Sequence, residues 1–154
     1  MAYWRSITET LPHWQWIGAL LARLSVGLLF FLSGSGKLFI PAQRTKMRAT
    51  TREAGIPVPE ISAVVLSLVE FVFGGLLLVG FLTPLCCVML IGIMLGALAT
   101  TVLPGIKAKS LIDWLSQVLY LPEVLYLVIL IWLLFFGPSH FSVDRMVFGP
   151  HGGN

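Results

Sequence analysis

Four apolar stretches, at about residues 17–40, 61–82, 85–102 and 120–137, take up most of this 154-residue chain. Each comes near the roughly 20 residues that an α-helix needs to cross a bilayer. Such a chain has few architectures open to it, because a segment in hydrocarbon must satisfy its own backbone hydrogen bonds, and only helices and closed barrels do. Charged residues make up 11% of the chain and hydrophobic ones 57%, with a mean hydropathy of +0.92, whereas an ordinary soluble domain is about 25% charged. The pattern predicts one all-α domain over residues 1–154, an integral membrane four-helix bundle with short interfacial helices in its two basic loops.

Tyr3, Trp4, Trp14 and Trp16 ahead of the first stretch read as an interfacial aromatic belt. Arg5 before an apolar run mimics a secretory signal, but Arg23 inside the run and its length predict a retained helix. Between Pro41 and Glu60 the chain turns polar. Arg44, Arg48 and Arg52 fall at four-residue spacing on one face of a short helix expected to end near Gly55 and to lie against lipid headgroups. Pro57 and Pro59 predict a non-helical approach to the second span, and Thr83-Pro84 a tight turn that makes spans two and three antiparallel neighbours. Pro104-Gly105 closes the third span. Ser110 and Asp113 have helix-capping spacing, and Trp114, Leu115, Val118 and Leu119 suit a second interfacial helix. The fourth span, apolar from Val124 to Phe136, starts near Pro122 and is short unless the residues before Pro122 continue it; Gly137-Pro138 ends it.

The net charge of +3 comes from basic residues clustered beside spans, with no basic-aromatic module, so the bilayer and its headgroups are the expected anionic partner and nucleic acid is not. Arg44, Lys46, Arg48, Arg52, Lys107 and Lys109 sit in the loops against Arg5 and Arg145 at the termini. The positive-inside rule then puts loops 41–60 and 103–117 in the cytoplasm and the termini outside.

Glu70 and Arg23, each inside an apolar run, are the residues that hydrocarbon tolerates least. Such a charge costs roughly 2.5–3.5 kcal/mol at the bilayer centre and must be paired, hydrated or neutralised. Arg23, Gly27, Phe30, Gly34 and Lys37 alternate at intervals of four and three, so they share one side of the first helix, which must face protein. The glycines allow a second backbone to approach, and Glu70, Gly74 and Gly75 repeat the association of charge with small residues in the second span. An Arg23–Glu70 pair is the expected polar centre, serving either to fix helix register or to border a pocket for a quinone-like or other small amphipathic ligand. Lys37 and Glu123, near the ends of their spans, are expected to form a second pair or to reach the headgroups.

Cys86 and Cys87 are adjacent, which suits packing better than a disulfide or a redox pair. His13, His140 and His151 are scattered outside the spans, and no metal, haem or iron–sulfur spacing occurs. Gly34-Ser35-Gly36-Lys37 lacks the spacing and the strand-to-helix context of a phosphate loop. No residue is singled out as catalytic, and whether the chain is an enzyme stays open.

Taken in order, the segment from Arg23 through Gly27, Phe30, Gly34 and Gly36 to Lys37, Gly55-Ile-Pro57, Glu70-Phe-Val-Phe-Gly74-Gly75 through Thr83, and Gly137-Pro138 through Asp144 resembles the DoxX family of small four-span membrane proteins, over about Leu20 to Asp144. The resemblance implies a four-helix membrane bundle with Arg23, Lys37, Glu70 and Glu123 at the family's polar positions, and a bacterial inner-membrane location. It also links the chain to membrane redox work, including subunits of quinone-dependent sulfur oxidation and oxidative-stress defence, although other relatives assist assembly of membrane partners. The expected function is therefore a redox-associated subunit, with quinone as the candidate cofactor and another membrane protein or a second copy as partner. The alternatives are a non-catalytic assembly subunit and, ranking lower for want of an inverted repeat, a small-solute transporter.

Overall fold

In the computed structural model, which describes residues 15–136, every regular element is helical. The helices are α1 (Gln15–Phe39), α2 (Pro41–Glu53), α3 (Pro59–Val79), α4 (Thr83–Ala97), α5 (Leu111–Leu119) and α6 (Pro122–Phe136). Beyond α4 the chain continues through a π-helical turn, Leu98–Val102, and a 3-10 turn, Leu103–Gly105. The belt residues Tyr3, Trp4 and Trp14, the three histidines and the Gly137–Asp144 ending lie outside the described residues.

The four long helices form a ring in which α1 packs most extensively on α3, α3 meets α4, α4 meets α6, and α6 returns to α1. This is a membrane helical bundle. Its dry core, built from Val26, Phe30, Leu77, Leu90, Leu130 and Leu133, lies toward the α3–α4 turn, and Cys86 and Cys87 are fully buried packing residues within it. The other end of the bundle carries the loops, with α2 laid against α1 and α3.

Local chemistry explains most boundaries. Pro41 and Pro59 each open a helix at its first position, where a missing N–H removes no internal bond. Gly80, at φ +70°, closes α3: its N–H donates to Leu77 O at 3.1 Å and the next N–H, from Phe81, donates to Leu76 O at 3.0 Å. This two-bond arrangement needs a left-handed residue, for which glycine has no Cβ penalty. Span two therefore stops at Val79 rather than at the expected Leu82. Ser110 caps α5, its Oγ accepting from Asp113 N at 3.2 Å, as the spacing predicts.

The helix of the fourth crossing, α6, starts at Pro122, as the sequence reading has it. Among the described residues three helical stretches are long and apolar enough to span, Trp16–Phe39, Pro59–Val79 and Thr83–Gly105; a fourth requires α5 and α6 together, bent by 64°. The 15 described residues of α6 cover about 22 Å against a hydrocarbon core of roughly 30 Å. The residues before Pro122 do not extend α6 in a straight line, because proline has no N–H for an internal helix bond and its ring crowds the preceding turn.

Candidate functional site

The α1–α3 seam fixes the site. A Cβ on Gly74 would come 2.5 Å from Phe31 N, one on Gly34 would come 2.8 Å from Phe71 Cα, and one on Gly27 would come 3.0 Å from Leu78 N. At these glycines the two backbones nearly touch, which excludes lipid from the charges between them. Gly75 is looser, since an added Cβ would meet the Phe31 ring at an ordinary 3.4 Å. The pairing of residue 27 with 78 and of 34 with 71 sets Glu70 level with Ser35 in an antiparallel register.

Glu70 is 3% exposed. It accepts hydrogen bonds from Lys37 Nζ on Oε1 at 2.7 Å and on Oε2 at 2.6 Å, and from Ser33 Oγ on Oε2 at 3.1 Å. Both carboxylate oxygens are thus satisfied by α1. The expected Arg23–Glu70 pair does not form. Arg23 is buried on the predicted face, 3% exposed, but twelve residues before the level of Ser35, about 18 Å along the axis. The expected second pair is corrected with it: Lys37 belongs to Glu70, and Glu123 stands apart with a buried Oε2 that makes no hydrogen bond.

Lys37, Glu70 and Glu123 nonetheless share a place. They line one cavity of about 650 Å³ at the loop end of the bundle, walled by Phe30, Leu66, Val69, Ile93 and Met94 and faced by Tyr126. Helix α2 is its roof, contributing Met47, Thr50 and Thr51, with Ala54 just past its end, and Thr51 is anchored by its Oγ1 donating to Met47 O at 2.7 Å. The arginines of α2 do not make a uniform outward stripe: Arg44 and Arg52 are exposed, Arg48 is half-buried, and Arg44 donates to Leu38 O at the end of α1. Among the described residues no group of three or more His, Cys, Asp or Glu stands together to hold a metal ion.

Four contributors escaped the sequence reading. Ser33 lies four residues before Lys37 and so on its face, a signal present in the spacing. Tyr126 follows Glu123 by three residues, again one face of a helix. Gly92 and Gly96 line the cavity one turn apart, with nothing within 4 Å of an added Cβ.

A family model described as DoxX matches residues 18–103, which takes in α1 to α4 and with them Lys37 and Glu70, but not Glu123. The chain is similar to an uncharacterized membrane protein of Mycobacterium tuberculosis, with 33% identity over 127 residues, covering 80% of this chain and 77% of the relative. No solved structure matches. With the family model spanning more than half of a helical bundle whose intramembrane charges lie on the matched helices, the chain belongs to the DoxX family of membrane proteins.

Proposed function

We propose that this DoxX protein is a redox-associated subunit that holds a quinone or a related small amphipathic molecule in the cavity beneath α2. One observation carries the reading: a cavity of about 650 Å³ with mostly apolar walls converges on Lys37, Glu70, Glu123 and Tyr126. Ligand sites commonly occupy about 300–1,000 Å³ and combine apolar walls with a few polar groups that orient the ligand. The residues present suit a quinone head. An ammonium has three N–H donors, so Lys37 keeps at least one beyond those it gives to the two Glu70 oxygens, and the Tyr126 hydroxyl is a second candidate donor. A bound quinone supplies a two-electron couple; the chain's part is to seat the head group and keep water from it. Glu70 acts here as the counter-charge that holds Lys37, while Arg23, remote from the cavity, fixes the other end of the α1–α3 seam.

In this reading the protein sits in a bacterial inner membrane with loops 41–60 and 103–117 cytoplasmic, and Arg44, Arg48 and Arg52 hold α2 against anionic headgroups. A second reading, a non-catalytic subunit of a larger membrane complex or a homo-oligomer, draws on exposed Gly92 and Gly96, spaced as in close helix–helix contacts within membranes. Purification in mild detergent followed by mass spectrometry of bound lipids and quinones separates the two. Near-stoichiometric quinone that is depleted in Glu70→Gln and Lys37→Met supports the first; a stable protein complex without quinone, unaltered by Glu70→Gln, replaces it with the second.

A further inference from the structure

The polar groups of the cavity are unequally satisfied. Glu70 has a donor on each oxygen. Glu123, one residue into α6 from Pro122 and lining the same space, has a buried Oε2 with none. A buried oxygen left in this state is unfavourable until a donor reaches it, and a carboxylate oxygen can only accept. The charged residues of the lining are one lysine, already engaged, and two carboxylates. Donors are present elsewhere in the lining, on Lys37 and Tyr126, but none reaches Glu123 Oε2, so this oxygen is the place where the cavity calls for a donor from a ligand.

The cavity's mouth is equally one-sided. Phe30 and Glu70 are buried and form its floor, whereas Val88 (53% exposed), Met89 (37%), Gly92, Gly96, Thr100 and Thr101 line it and are also exposed. Four of these belong to α4 and Thr100 and Thr101 to the π-helical turn after it, all within one stretch of spanning length, Thr83–Gly105. An opening along such a flank meets acyl chains, and the two glycines leave it unobstructed because no side chain projects there.

We infer that the cavity admits an amphiphile sideways from the lipid, past Gly92 and Gly96, and that Glu123 selects a head group carrying an O–H or N–H donor. This rests on the cavity being a ligand site and adds which head group it prefers and how the ligand arrives. A hydroquinone and a long-chain alcohol share the required chemistry, one from the redox pool and the other standing for a lipid-derived amphiphile.

The full chain in nanodiscs is equilibrated anaerobically with 2-decyl-1,4-hydroquinone, 2-decyl-1,4-benzoquinone or decanol, and the retained probe is quantified against empty nanodiscs. Wild type is expected to hold the hydroquinone roughly tenfold or more tightly than the benzoquinone, the size of one hydrogen bond to a charged acceptor. Glu123→Leu should abolish that preference while keeping benzoquinone binding; Glu123→Gln, which retains an acceptor oxygen, should show a reduced preference. Gly92→Leu should weaken both quinoid probes several-fold. Competition by decanol as strong as the hydroquinone's assigns the ligand to the lipid-derived class, and weak competition to the redox pool; either supports donor selection. Equal affinity of the two quinoid probes for wild type, or a preference that survives Glu123→Leu, overturns the inference and leaves the cavity reading intact. Retention of neither probe overturns both. If Glu123→Leu is not recovered as monodisperse protein, the wild-type ratio and Glu123→Gln decide.

Discussion

Glycines do opposite work on two flanks of this bundle. Along the α1–α3 seam, Gly27, Gly34 and Gly74 are sites of backbone contact, where one added methyl would strike the facing helix. Along α4, Gly92 and Gly96 face open space and border a cavity. The same residue type thus serves close approach in one place and vacancy in the other. The difference lies in what stands opposite: the seam encloses a buried carboxylate that requires protein around it, whereas the α4 flank surrounds room that a ligand or a neighbouring helix can use.

The largest effect that tests this contrast comes from the charge the seam encloses. Lys37→Met leaves Glu70 buried with Ser33 as its remaining partner, and breaking such a pair costs about 3–5 kcal/mol. The lower end applies because the Lys37 side chain is 24% exposed. Unfolding followed by circular dichroism in bicelles should show the loss, and adding Glu70→Gln should recover most of it; a single variant as stable as wild type would mean that the seam does not depend on this pair. Next, Gly74→Ala forces Phe31 away from the contact and should cost about 1–3 kcal/mol in the same measurement.

Gly92→Ala should have the opposite sign. With nothing within 4 Å of the new methyl, replacing a mid-helix glycine should gain about 0.5–1 kcal/mol. A loss matching that of Gly74→Ala would show instead that another helix packs on α4, which favours the oligomer or complex reading. The smallest effect should fall on α5, outside both flanks. The Lys109 backbone N–H, and then the Gln117 side chain, hold the Asp113 carboxyl below the usual carboxylate range. A carboxyl depressed on folding contributes its full stabilisation above its unfolded value of about 3.9 and loses it as the pH falls through its folded value. Protection of the α5 amides, relative to their intrinsic exchange rate at each pH, should therefore fall only in acid, and that dependence should vanish in Asp113→Asn.

Much of the seam was legible in the residue spacing. The intervals of four and three from Arg23 to Lys37 mark one buried face of α1, and Glu70 with Gly74 marks the matching face of α3, because helical periodicity is local. The partner of Glu70 was not legible. A helical wheel gives an angle about the axis and says nothing of height, so Arg23 and Lys37 are equivalent on it; the glycine contacts set the height and bring Lys37 level. The cavity was less legible still. Thr51, Gly92 and the Glu123–Tyr126 pair come from three separate segments, and only the arrangement of helices around the ring and the fold-back of α2 gathers them.

By itself the amino-acid order determined a membrane helical protein, the helix start at Ser110, and the sides of α1 and α3 that must avoid lipid. Those depend on hydropathy, backbone conformation and a fixed helical repeat, all of which act within a few residues. The tertiary structure decided which charges meet, that Glu123 faces the cavity with an unsatisfied oxygen, and that α5 and α6 meet at a bend rather than forming a straight span. Those depend on axial register and on how far apart whole helices stand, which packing across the bundle sets and no single segment contains.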